Sequence, residues 1–245
     1  MNNLVITAIE AAREAGRAIM EVYAQPFEVY TKDDASPVTQ ADLRASNIIK
    51  EYLQPTGLPF VSEEDLPPDR SGFGRYWLVD PLDGTAEFVK RNGEFTVNIA
   101  LIENKRPVLG VIYAPTLDKM WTSCDKHLSP LTSHLSPFTV LVSRSHRTPE
   151  VDEYINKVLR PVHPDLVIDS QGSSLKFARL VDGTADVYVC YSKTKEWDTA
   201  AADAILTAAG GKVLKISDGQ PLEYDKEDYP NPPFVAYAPA SIPKE

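Results

Sequence analysis

The amino-acid sequence predicts a mixed α/β fold, on three observations. Two segments with helical apolar stripes open the chain, a run of short β-branched and aromatic segments follows, and the second half alternates strand-like with helix-like stretches.

Residues 4 to 22 set Leu4, Ala8, Ala12, Ala15, Ile19 and Val22 at three-to-four spacing with charged residues between them, the pattern of an amphipathic helix. A second helix is expected from about Thr39 to Leu53, with Ala41, Ala45, Ile48, Ile49 and Tyr52 on one face and Asp42 in its first turn. The intervening KDDASPV reads as a loop. From Tyr76 the runs YWLVD, FTVNIALI, PVLGVIYA and KMWTSC, separated by turn residues such as ENKRP and PTLD, predict an antiparallel meander. Then come strand TVLVS, a helix from about Pro149 to Leu159, strand DLVID, helix SSLKFARLV, strand ADVYVCY, helix WDTAAADAILTAAGG and strand KVLKI. The proline-rich tail from Pro221 to Lys244 reads as a peripheral strand and loops. One domain over residues 1–245 is expected, in two lobes that divide near residue 135, where the polar stretch HLSPLTSHLSP lies.

Composition narrows the function. Glu10, Arg13, Glu14 and Arg17 interrupt the first twenty residues, so neither a signal-peptide core nor a transmembrane span fits there. A cytoplasmic protein is expected. Cys124 and Cys190 are isolated and form no C-x-x-C pair. The net charge of −10 repels nucleic acid and anionic membranes, so a phosphate-bearing small molecule would need a cation to hold it. His127, His134, His146 and His163 show no i, i+4 pairing or H-E-x-x-H pattern, and no G-x-S-x-G elbow is present, which argues against zinc and serine chemistry. Nothing in the sequence speaks to an oligomeric state.

The densest chemical signal is Trp77-Leu78-Val79-Asp80-Pro81-Leu82-Asp83-Gly84-Thr85, an apolar strand that ends in two aspartates, a proline and a glycine. A turn there lets both carboxylates and the Leu82 carbonyl converge, with Pro81 fixing φ and Gly84 admitting close backbone approach. Hard oxygen donors of this kind suit Mg²⁺. A bare D-x-x-D-G is ordinarily just a turn, an acidic run such as Glu63-Glu64-Asp65 ordinarily solvated surface, and an aspartate such as Asp198 at a helix start ordinarily a cap. Their combination is what carries weight.

That combination of SEED, WLVDPLDGT and EWDTAAADAILTAAGG resembles the inositol monophosphatase superfamily of Mg²⁺-dependent, lithium-sensitive phosphatases. Lys90 to Asn98, Ser143-Arg144-Ser145-His146 and Gly172-Ser173-Ser174-Leu175-Lys176-Phe177 resemble its bacterial 3′(2′),5′-bisphosphate nucleotidase branch. The resemblance implies a layered α-β-α-β-α sandwich and two or three Mg²⁺ ions. Glu63, Asp80, the Leu82 carbonyl, Asp83 and Asp198 would be the metal ligands, with Gly84 and Thr85 holding phosphate through backbone N–H groups. Relative to longer family members the chain is compact around residues 66 to 74 and 124 to 138.

The resemblance also implies attack by a metal-activated water assisted by a threonine–carboxylate pair, positions matched by Thr85 and Asp42. From the residues alone, Asp42 reads equally well as an acid stabilising its helix's first turn. The substrate the branch implies is a small nucleotide, 3′-phosphoadenosine 5′-phosphate, converted to AMP; Glu63, Leu82, Asp83, Gly84, Thr85, Asp198 and Ser173 would contact it. A second phosphate needs positive charge away from the metals, and Arg144, His146, Lys176 and Lys195 are the candidates. The helix opening at Ser173-Ser174 also offers N–H groups to an anion. An inositol monophosphatase would share every metal ligand without a second phosphate site. A catalytically silent metal- and phosphate-binding protein is the remaining alternative, against which the full set Asp42, Glu63, Asp80, Asp83, Thr85 and Asp198 argues.

Overall fold

The computed structural model describes residues 2–31, 37–70, 72–125 and 137–243. Helix α1 (Asn2–Tyr23) and helix α2 (Gln40–Leu53) follow the stripes read from the sequence, and Ala8, Ala12, Ala15 and Ile19 lie fully buried against Ala41, Ala45 and Ile49. Alanine on both faces lets the two helices approach closely. Thr39 starts α2 with a capping box, its backbone N–H donating to Asp42. Between them β1 (Val29–Thr31) pairs with β2 (Pro37–Thr39), so Pro37 and Val38 belong to a strand where a loop was expected.

A first sheet contains β3 (Phe60–Ser62), β4 (Arg75–Asp83), β5 (Thr96–Glu103), β6 (Arg106–Ala114) and β7 (Lys119–Thr122) in chain order. β4 to β7 form the expected antiparallel meander, and β3 adds a parallel edge beside β4. Asp80 and Asp83 do not flank a turn beyond the strand. β4 runs on through both, and a bulge between them shifts the register against β5.

The second sheet has the order β11 (Lys212–Lys215), β12 (Phe234–Tyr237), β10 (Val187–Cys190), β8 (Thr139–Ser143), β9 (Val167–Gln171). β10, β8 and β9 are parallel, and β12 is antiparallel to both of its neighbours. Here the reading of the tail as peripheral is corrected. Phe234, Val235, Ala236 and Tyr237 are all buried in an interior strand of the sheet, between β11 and β10.

The layers follow from which faces are apolar. α1 and α2 cover one face of the first sheet. α5 (Leu175–Val181) and α6 (Glu196–Ala208) fill the space between the sheets, sharing a core with Leu78 and Ile112 on one side and Tyr188 and Phe234 on the other. α4 (Pro149–Tyr154), continued by a wider π turn over Ile155–Leu159, covers the outer face of the second sheet through Val151, Ile155 and Leu159. The result is the α-β-α-β-α sandwich. Its middle layer explains the composition of α6, four of whose five alanines, Ala200, Ala201, Ala202 and Ala204, are buried. The packing is close enough that a Cβ on Gly110 of β6 would sit 2.2 Å from the Ala201 carbonyl oxygen. Most of the 127–137 stretch read as a lobe boundary lies outside the described residues. Among those described, no helix is long and apolar enough to cross a membrane.

Candidate active site

A cleft of about 440 Å³ opens where the carboxyl ends of strands from both sheets meet. Glu63 follows β3, Asp80, Leu82 and Asp83 end β4, Ser143 ends β8, Gly172 to Ser174 follow β9, and Ser192 to Lys195 follow β10. Parallel strands present their carboxyl ends, and the loops leaving them, on one side of a sheet, which makes that side the natural place for a ligand.

The floor is acidic. Asp80 is buried, and Asp83, Glu63 and Asp198 are half-buried around it. Burial, then the charges of Glu63, Asp83 and Asp198, push the Asp80 carboxyl well above its usual range. Burial followed by Asp83 and Glu63 does the same to Asp198. Asp80, Asp83 and Asp198 are also held by donors. Asp80 Oδ1 accepts the Leu82 N–H at 3.1 Å, and Asp198 Oδ2 accepts the Lys195 N–H at 2.8 Å. Asp83 Oδ2 accepts the Ser174 N–H at 2.6 Å, the Ser174 hydroxyl at 2.7 Å and the Asn98 amide at 3.1 Å. The N–H groups at Ser173-Ser174, expected to serve a bound anion, are thus partly committed, because the anion that Ser174 meets is Asp83 itself. Among the described residues no three acidic, histidine or cysteine side chains close around a single point.

Thr85 opens the short helix α3 (Thr85–Val89), capped by Gly84 at φ +90° with no side-chain cap. A Cβ on Gly84 would meet the Glu94 carbonyl oxygen at 2.9 Å, so the position requires glycine on both counts. The Thr85 hydroxyl lies 3.0 Å from Asp42 Oδ1 and 3.1 Å from the Leu82 carbonyl oxygen. Asp42 divides its oxygens between two partners. Oδ2 accepts from Thr39 N–H and Thr39 Oγ, each at 2.8 Å, and caps α2, while Oδ1 reaches Thr85. Burial raises the Asp42 carboxyl above its usual range.

The positively charged candidates separate. Lys176 lines the cleft but is buried, and its ammonium donates to the Ser173 carbonyl at 2.7 Å and the Gln171 carbonyl at 3.4 Å. Burial pushes its pKa down. Arg144 is not in the cleft lining; its guanidinium grips Glu94 at 2.6 and 2.7 Å and the Ser170 carbonyl at 2.7 Å. His146 and Lys195 line the cleft, whereas His163 stacks on Phe138. His127 and His134 lie outside the described residues. Sequence reasoning missed Lys193, Thr194, Trp197 and the buried Glu87 in the lining, and the role of Asn98 on Asp83. The position of residues 192 to 195 between a parallel strand and its following helix was the signal that could have flagged them.

The model of the inositol monophosphatase family matches residues 1–241. The chain belongs to the inositol monophosphatase family. Among members of this family it is 43% identical over 242 residues to the 3′(2′),5′-bisphosphate nucleotidase CysQ of Escherichia coli K12, covering 92% of this chain and 96% of that protein. It is 44% identical over 241 residues to CysQ of Salmonella typhimurium, with the same coverage of 92% and 96%. The crystal structure of CysQ from Bacteroides thetaiotaomicron matches at a TM-score of 0.86 and 38% identity over 97% of each chain. At 22% identity, an inositol monophosphatase from Thermotoga maritima shares the fold with a TM-score of 0.79, covering 98% of this chain and 93% of that one.

Proposed function

We propose that this chain is a Mg²⁺-dependent phosphomonoesterase that removes the 3′-phosphate of 3′-phosphoadenosine 5′-phosphate to give AMP. The observation that carries the proposal is the Thr85–Asp42 hydrogen bond, 3.0 Å long, set at the edge of a four-carboxylate cluster in the cleft between the two sheets. The names of the relatives at 43% and 44% identity support the choice of substrate.

The cluster fits Mg²⁺ by the chemistry of its donors. Glu63, Asp80, the Leu82 carbonyl, Asp83 and Asp198 offer only hard oxygen, and buried acids that raise one another's pKa are stabilised by a cation placed among them. When bound, Mg²⁺ supplies Lewis acidity to phosphoryl oxygens and lowers the pKa of the attacking water.

The protein's own groups account for the proton and the phosphate. With its proton directed to Asp42 Oδ1, the Thr85 oxygen keeps lone pairs with which to accept a hydrogen bond from that water. Asp42 is a fitting terminal acceptor, since burial raises its basicity while Thr39 fixes its orientation through Oδ2. The backbone at Gly84 and Thr85, opening α3 without a side-chain cap, suits phosphate oxygens, and Ser173 faces the same cleft. With water as the nucleophile, no covalent enzyme intermediate is required.

Phosphate release measured over 3′-phosphoadenosine 5′-phosphate, 3′-AMP and inositol 1-phosphate tests the assignment. The bisphosphate is expected to show the highest kcat/KM. Equal values for all three would make the inositol monophosphatase reading the better one.

A further inference from the structure

Taking the substrate to be the bisphosphate proposed above, we infer that Lys193, with Lys195 beside it, holds the second phosphate. A nucleotide whose scissile phosphate lies at the carboxylate cluster presents its other phosphate at a distance from Glu63, Asp80, Asp83 and Asp198, and that group needs a cation of its own. Glu87, a fifth and buried acid in the cleft wall, sharpens the requirement.

His146 also lines the cleft, but the other lysines and arginines near it are already engaged. Arg144 is held two-pronged by Glu94 and does not line the cleft. The Lys176 ammonium is buried and spent on the Ser173 and Gln171 carbonyls, where it stiffens the turn that delivers Ser174 to Asp83. Lys90 donates to Ser145, which in turn donates to Glu87. Lys193 differs from all of these. It is exposed, it lines the cleft, and its ammonium has no ion-pair partner among the described residues. Lys195 lines the cleft two residues further on.

The segment that carries these lysines is built to hold its shape. Thr194 N–H donates to the Ser192 carbonyl at 2.9 Å, and Asn231 N–H donates to the Thr194 carbonyl at 2.8 Å. The buried Asn231 side chain donates to the Lys195 carbonyl at 2.6 Å and to Thr199 Oγ at 3.0 Å. Asn231 Oδ1 in turn accepts from Lys226, which pairs with the fully buried Glu196 at 2.9 Å, and Glu196 also binds Arg70 at 2.7 Å. Backbone fixed by buried polar bonds, with a free ammonium at its exposed tip, is the arrangement expected of a residue that reads a ligand's charge. Its place beyond the carboxyl end of β10 puts it on the ligand side of the sheet.

The test compares Lys193→Ala, Lys195→Ala and the double variant with wild type, using Mg²⁺, 3′-phosphoadenosine 5′-phosphate and 3′-AMP. The two substrates differ only in the second phosphate. In the double variant the ratio of their kcat/KM values is expected to fall about tenfold to a hundredfold, the worth of charged hydrogen bonds to phosphate. Lys193→Arg should retain most of the ratio, and Lys193→Glu should lose more than Lys193→Ala. Thermal melts should match wild type, since Lys193 is exposed. A wild-type preference for the bisphosphate that survives in the double variant would overturn the assignment while leaving the nucleotidase reading intact. Equal losses for both substrates would also overturn it. A wild type without any preference would instead remove the nucleotidase reading itself, and this subsite with it.

Discussion

Replacing Thr85 with alanine deletes one hydroxyl, and the structure limits what that deletion can do. The hydroxyl lies 3.0 Å from Asp42 Oδ1 and 3.1 Å from the Leu82 carbonyl oxygen, while Asp42 keeps both Thr39 bonds through its other oxygen. Asp42 therefore stays oriented and α2 stays capped. Because Thr85 is only half-buried, the loss of its bonds should cost the fold about 1 kcal/mol. Catalysis should suffer far more. A proton-relay contact made mainly in the transition state is worth about 10²–10⁴ in kcat, or roughly 2.7–5.4 kcal/mol of barrier, with KM little changed. Steady-state phosphate release together with a urea melt separates the two effects. Raised KM at constant kcat would make Thr85 a binding residue, and wild-type rates would remove the Thr85–Asp42 relay altogether.

Other outcomes follow from the same geometry. Asp80→Asn should abolish activity without loss of stability, because it removes a buried charge that its neighbours repel; a wild-type rate would take Asp80 out of the site. Gly84→Ala should lower stability by about 1–2 kcal/mol or more, since φ there is +90° and the Glu94 carbonyl lies 2.9 Å from the new Cβ, and a melt unchanged from wild type would refute this. Glu196→Ala removes the fully buried carboxylate shared by buried Arg70 and half-buried Lys226 and should cost about 3–5 kcal/mol, measured by denaturant unfolding; a loss under 1 kcal/mol would show that Asp225, the remaining partner of Arg70, compensates.

Asp203 gives a pH-dependent test away from the cleft. Burial pushes its carboxyl up to about 6 despite Arg106 and hydrogen bonds from Tyr224 and Thr207. In the unfolded chain it ionises near 3.9, so between about pH 4 and 6 the native state holds more protons and stability falls as pH rises, by up to about 3 kcal/mol. Asp203→Asn should therefore gain stability relative to wild type on going from pH 4 to pH 7. A difference that stays flat across that range would contradict the assignment.

The helices and the meander were legible in the sequence because their signals are local. Ala8, Ala12, Ala15 and Ile19 repeat at helical spacing, and the residues of β4, β5 and β6 form runs bounded by turn residues. The carboxylates were legible for a different reason, since Glu63, Asp80, Asp83 and Asp198 stand in motifs that a family resemblance can read. What stayed hidden depends on contacts distant in sequence. β12 looked peripheral because prolines flank it, yet it lies between β10 and β11, and nothing within residues 234 to 237 encodes those partners. Arg144 looked free until the fold placed Glu94, fifty residues away, against it. Ser174 looked like an anion donor, and it is one, but to Asp83. Lys193 drew no notice because a single lysine in a polar run has no period and no motif.

The central claim is that the buried carboxylate cluster works as a cation site for phosphate-ester hydrolysis. The most direct measurement strips the protein with chelator and follows phosphate release from 3′-phosphoadenosine 5′-phosphate as Mg²⁺ is added back, with Li⁺ included in a parallel titration. Release should be absent in chelator, return in saturable fashion with Mg²⁺, and be inhibited by millimolar Li⁺ competing with Mg²⁺. Full turnover in chelator would contradict the account, because the ester would then be hydrolysed with no cation at the carboxylate cluster.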